Sequence, residues 1–167
     1  MVEIRITKKH RFRFQHLTGC TRLKGFTVME LMIVIGIMAV LTGIAVFSYL
    51  SMRPALRLSG ASRQLMSDLM AARMKAVNQN NEFKVFFLND RQYKILDDDN
   101  GDGNEDAGES SETKDIQDHY PGVTLSATAD PIFSPRGTAN MGTTVTLSNT
   151  SGSKLVKVST TGRIKIE

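Results

Sequence analysis

Leu31 to Leu50 runs for twenty residues without a charge. As a helix rising about 1.5 Å per residue, it would span roughly the 30 Å hydrocarbon core of a bilayer. Ile, Val, Leu and Met fill the run, and Thr42 and Ser48 are its polar interruptions. Gly36 and Gly43 are tolerable in a membrane helix. A secretory signal has a shorter apolar core of about 7–15 residues and then a small-residue cleavage site, and nothing after Leu50 resembles one. The segment is therefore expected to stay on the mature protein and to hold it at a membrane.

Charge sets the direction of insertion. Residues 1–25 carry seven basic side chains, from Arg5 to Lys24, against Glu3 alone. The other residues hold 14 basic and 16 acidic side chains, so the overall charge of +4 belongs to the leader. It argues nothing about nucleic acid. Positive residues flank the cytoplasmic end of a membrane helix, which places the N-terminus inside and everything after Leu50 on the other side. Cys20 is the single cysteine, with His10 and His16 nearby in the leader and His119 alone beyond it. Leu17-Thr18-Gly19-Cys20 lacks the apolar stretch that lipid attachment needs, and no disulfide or Cys/His metal site is expected.

Glu30 abuts the apolar run, where a carboxylate costs roughly 2.5–3.5 kcal/mol if central in lipid and less at the interface. The positive end of the helix dipole would ease it, or a cation on another chain would pair with it. Lys24-Gly25-Phe26-Thr27-Val28-Met29-Glu30 joins a basic leader ending in glycine to Phe-Thr-x-x-Glu and then the apolar helix. That order resembles the prepilin N-terminus of type IV pilins and type II secretion pseudopilins. The resemblance implies that a prepilin peptidase cuts between Gly25 and Phe26 and N-methylates Phe26. It also implies that Glu30 pairs with the N-terminal amine of a neighbouring subunit. Opposite charges attract far more strongly in low dielectric than in water.

Past the run, Ser51 to Asn80 reads as the amphipathic continuation of the helix, with Arg53-Pro54 marking the exit from the membrane. Leu58, Ser62, Leu65, Leu69, Ala72 and Ala76 recur every three or four residues, widened by Met66, Met70 and Val77, as a stripe that covers a sheet. Asp68 and the basic residues are expected elsewhere. Residues 81–167 alternate short β-rich runs with turns. Phe83–Leu88 and Arg91–Leu96 form a hairpin about Asn89-Asp90. Further strands are expected at 123–127, 132–134, 143–147, 155–159 and 163–166, split by Asp130-Pro131, Pro135-Arg136-Gly137, Asn149 to Gly152 and Thr161-Gly162. The fold class is α+β: a long N-terminal helix, membrane-spanning in its first half, packed on an antiparallel β-sheet domain in the pilin manner.

Within the acidic loop 97–109, Asp98 to Glu109 fits the calcium-loop pattern D-x-[DN]-x-[DN]-G-x5-E. Asp98, Asn100 and Asp102 would give side-chain oxygens, Asn104 its carbonyl, Asp106 a direct or water-bridged contact and Glu109 a bidentate carboxylate. A strand precedes the loop and Ser110-Ser111-Glu112-Thr113 follows, so the flanking helices of an EF-hand are missing. The plain alternative is a solvated acidic turn. Seven carboxylates between Asp97 and Glu109 would nonetheless be relieved by a divalent ion, bound weakly at about 10⁻⁴–10⁻³ M.

Three stretches narrow the resemblance: the acidic loop, Phe133-Ser134-Pro135-Arg136-Gly137-Thr138-Ala139, and Val156 to Ile164 with its Thr161-Gly162-Arg163 turn. Together they resemble the GspH/FimT family of minor pseudopilins and minor pilins. The implied function is a minor pseudopilin of a type II secretion system, a structural subunit of the periplasmic pseudopilus that needs no cofactor. The alternative is a FimT-like minor type IV pilin in pilus assembly, with or without DNA uptake. Implied partners are the other pilins or pseudopilins of the fibre, the prepilin peptidase and the bacterial inner membrane, with the C-terminal domain periplasmic. DNA contact would fall to Arg163 and Lys165. Two cations on one strand face give only weak, salt-sensitive binding, and the mature chain is net acidic. An enzyme is not expected, for no nucleophile–base pair or phosphate loop is evident.

Overall fold

The computed structural model describes residues 25–106 and 108–167. Apart from Gly25, the basic leader, with Cys20, His10 and His16, lies outside the described residues. The chain divides into two compact units, Met1–Thr42 and Gly43–Glu167. One helix, α1 (Val28–Gln79), begins in the first and continues in the second.

In the first unit, Thr27 caps α1: its Oγ1 accepts from the Glu30 N–H at 3.1 Å, and its carbonyl accepts the first helical bond from Leu31. The apolar stretch has a mean hydropathy of 2.6, and none of its most apolar window is buried against the chain. A helix apolar all round is normally buried. This one must find its cover in lipid or in other chains.

In the second unit, α1 continues through Pro54 as helix. Proline lacks the N–H that would reach back one turn; separately, the Pro54 carbonyl accepts from Asn149 Nδ2 at 2.7 Å, which ties this turn to the strand domain. The helix ends with Asn80 in the left-handed region (φ 55°), and the Asn81 N–H returns to the Ala76 carbonyl at 3.2 Å. Eight antiparallel strands follow: β1 (Glu82–Phe87), β2 (Gln92–Asp98), β3 (Ser111–Asp115), β4 (Thr124–Ala127), β5 (Ile132–Phe133), β6 (Thr143–Asn149), β7 (Gly152–Val158) and β8 (Ile164–Ile166). They form two four-stranded sheets, ordered β3-β2-β1-β5 and β4-β6-β7-β8, where the sequence suggests one. The expected hairpin holds, with Phe83 paired to Asp97 and Phe87 to Tyr93. Strand β3 is unforeseen, because Ser-Glu-Thr-Lys-Asp has no apolar alternation.

One core joins the helix to both sheets. Leu58, Leu65, Leu69, Ala72 and Ala76 pack with Phe83, Val85, Tyr93 and Ile95 of the first sheet and Leu125, Val145, Leu147, Val156 and Val158 of the second. The expected stripe holds at its six principal positions. Of the residues expected to widen it, Met66 packs on the core, but Met70 and Val77 are exposed. Gly60 faces the Tyr120 ring so closely that an added Cβ would lie 2.4 Å from a ring carbon.

Candidate functional sites: the helix start, the acidic loop and the last strand

At the helix start, Phe26 is 81% exposed and, among the described residues, nothing lies within 4 Å of a would-be Gly25 Cβ. Glu30 is exposed too, and its backbone is tied by the Thr27 cap. Thr27-x-x-Glu30 has the spacing of a capping box, a signal readable in the sequence.

The acidic loop is closed by the protein's own donors. Asp98 is fully buried, and its two oxygens accept from the Gly101 and Gly103 N–H groups, each at 2.8 Å. Asn100 Oδ1 accepts from the Asp102 N–H, and Asp102 Oδ1 from the Asn104 N–H. Asp106 accepts from Asn100 Nδ2 at 2.8 Å, while Glu109 accepts from the Asp99 and Asp106 N–H groups. Lysines supply positive charge from the sheet: Lys84 Nζ donates to the Gly103 carbonyl at 2.7 Å, and Lys94 Nζ meets Glu105 at 2.7 Å. Lys94, then Ser111, hold the Glu105 carboxyl below its ordinary range. Asn81 Nδ2 binds both Asp97 and Asp99 at 2.7 Å. The six sequence-expected calcium donors therefore share one loop. However, no group of three or more His, Cys, Asp or Glu among the described residues is arranged to hold a metal. The donor chemistry suits a hard cation; the arrangement seen satisfies it with N–H groups.

On the last strand, Arg163 and Lys165 are both exposed, next to and within the edge strand β8. They do not stand free together. Glu167 bridges Lys165 and its register neighbour Lys157. Those two ammonium groups, Lys157 foremost, pull the Glu167 carboxyl down to about 2.

Two constellations went unforeseen. Asp68, expected outside the stripe, is buried on it. Its carboxylate accepts from the Tyr93 hydroxyl at 2.5 Å, from Lys114 Nζ at 2.8 Å and from Gln64 Nε2 at 3.0 Å. Burial, then that hydrogen bond, push the Tyr93 phenol far above its ordinary value. Burial lowers Lys114, but the Asp68 and Glu112 carboxylates outweigh it and leave the ammonium raised. Asp68 stands three residues after Leu65 and four before Ala72, which is the signal that marks it as inward.

The second constellation joins the two glycine-bearing stretches. Arg73 Nε donates to the Gly137 carbonyl at 2.7 Å, and the Ala139 N–H donates to Thr160 at 3.0 Å. Gly162, at φ 77°, lies so close that a Cβ there would sit 1.9 Å from the Gly137 oxygen. These stretches clasp the helix to the sheets.

A bare apolar helix start leading into a helix packed on antiparallel strands defines a pilin-like subunit. A family model described as Type II transport protein GspH matches residues 61–162. The chain belongs to that family. Its fold is similar to the type IV minor pilin FimU of Pseudomonas aeruginosa, at 22% identity and TM-score 0.52, covering 66% of this chain and 87% of that one. It is similar also to the minor pseudopilin EpsH from the type 2 secretion system of Vibrio cholerae, at 10% identity and TM-score 0.52, covering 66% and 96%. No curated protein matches the chain significantly.

Proposed function

We propose that this chain is a minor pseudopilin of a type II secretion system, built into the periplasmic pseudopilus as a structural subunit. The GspH match across residues 61–162 carries this reading. The uncovered apolar helix supports it, since a fibre subunit must trade lipid for neighbouring helices. In this reading prepilin peptidase cuts between Gly25 and Phe26 and methylates the new amine. The precursor waits in the inner membrane with residues after Leu50 in the periplasm. Glu30 then receives the amine of an adjacent subunit. Cross-linking the mature chain to sister subunits tests the assignment: capture of secretion pseudopilins supports it, and capture of type IV pilins alone replaces it with the minor-pilin reading.

Calcium at Asp98 to Glu109 is proposed on the order and chemistry of its oxygen donors. The ion's part would be to order the loop. It would require Asp102 and Glu109 to trade backbone N–H partners, and Asp106 the Asn100 side-chain amide, for metal, which suits weak rather than tight binding. DNA capture through Arg163 and Lys165 is not favoured, because Glu167 already occupies Lys165.

A further inference from the structure

Where β6 begins, β7 ends and β8 begins, the second sheet forms a cavity of about 360 Å³, lined by Thr143, Thr144, Lys157, Ser159, Arg163 and Lys165 among others. Register sets three of these side chains in one row: Thr144 stands opposite Lys157, and Lys157 opposite Lys165. Alternation along the strands turns that row, with Arg163 and Glu167, away from the buried Val145, Val156, Val158 and Ile164. Glu167 bridges the two lysines, so the row already accepts one carboxylate. Arg163 is exposed, and no ion pair among the described residues involves it. Thr143 is 2% exposed, and its hydroxyl has no hydrogen-bond partner among the described residues. A buried hydroxyl left unsatisfied is costly, and an acceptor bound in the cavity would relieve it.

Strand β8 is also the edge of its sheet. Leu155 and Glu167 exchange N–H···O bonds at 3.0 and 2.8 Å, and the Ser159 N–H donates to the Arg163 carbonyl at 2.8 Å. By antiparallel alternation Arg163, Lys165 and Glu167 turn their backbone groups to β7, while those of Ile164 and Ile166 point away along the edge. No turn or loop bond among the described residues reaches either isoleucine. An edge lysine ordinarily repels an added strand. It admits one that sets a carboxylate opposite it, which is selection by charge.

We propose that β8 and its cavity bind an extended acidic segment of another protein, added as a fifth strand beside β8. Its backbone pairs with Ile164 and Ile166, one carboxylate meets Arg163, and a second takes the place of Glu167 on Lys157 and Lys165. Duplex DNA fits less well, since it offers no strand to pair and a single unpaired guanidinium releases few counterions. The binding goes beyond the fibre reading and needs no fibre.

The test uses the full chain in detergent micelles and a fluorescent, end-blocked octapeptide of alternating Glu and Val, read by anisotropy. The basic leader adds the same charge to every variant, so the ratios between variants carry the result. Arg163→Ala is expected to weaken binding about fivefold and Glu167→Gln to strengthen it about threefold. Methylating one alternate set of the peptide's backbone nitrogens should abolish the effect of both substitutions, and methylating the other set should preserve it. Equal affinity in Arg163→Ala, weaker binding in Glu167→Gln, or indifference to both methylations overturns the proposal. So does displacement of the peptide by duplex DNA or inorganic phosphate at matched charge, which would mark a general anion site. The fibre reading fails separately, if the unaltered chain never enters the fibre fraction.

Discussion

Asp68 stands where the helical stripe calls for an apolar side chain, and its partners explain why that is tolerated. A buried carboxylate needs hydrogen bonds and compensating charge, and Tyr93, Lys114 and Gln64 supply them. Removing one partner leaves a desolvated group. Tyr93→Phe is therefore expected to cost about 1–3 kcal/mol near pH 8, measured by denaturant unfolding of the detergent-solubilised chain. The phenol and Lys114 are both raised above their unfolded values, so the network contributes fully below about pH 10 and weakens as pH rises further. Stability should fall as pH rises above about 10, and the gap between wild type and Tyr93→Phe should narrow there. A gap that widens would refute the assignment. Gly162 makes a second residue-scale case. Its φ of 77° and the Gly137 oxygen 1.9 Å from a would-be Cβ leave no room for alanine. Gly162→Ala should destabilise by about 2–4 kcal/mol, whereas Arg163→Ala, at an exposed neighbour, should stay within about 0.5 kcal/mol.

Among the elements, α1 is the most legible in sequence, because its apolar run and its 58–76 stripe are long and periodic. The hairpin β1–β2 is legible for the same reason. What escapes is set by partners that lie far apart in the chain. Strand β3 is polar because it is an edge strand, bonded to β2 and stabilised by pairing rather than by burial. The acidic loop resembles a metal loop in sequence, yet its oxygens find N–H groups and Lys84 and Lys94 lend charge, an outcome that depends on strand register. If calcium binds there, chelation should speed proteolysis between Asp98 and Glu109 and leave α1 intact. Equal cleavage with and without calcium would dismiss the ion. At the helix start, Glu30→Val should insert in the membrane normally but enter the fibre poorly, as read by fibre-fraction yield. Equal entry would return Glu30 to a capping part beside Thr27.

For the whole molecule, sequence reasoning reaches the α+β class but suggests one sheet where two share the core. The division follows from long-range pairing, since β5 joins β1 while β4 joins β6, and local pattern does not encode such choices. Charge also separates by position in the sequence, into a basic leader and an acidic loop, which a net value of +4 conceals. With Glu167 between Lys157 and Lys165, the net-acidic mature chain should give no DNA mobility shift even at low salt. A salt-sensitive shift lost in Arg163→Ala would revive DNA capture.

Fibre entry turns most directly on what happens at Gly25–Phe26. Mass spectrometry of the protein from cells that possess prepilin peptidase is predicted to find a mature chain starting at N-methylated Phe26. An intact leader, or a mature end anywhere else, would contradict it.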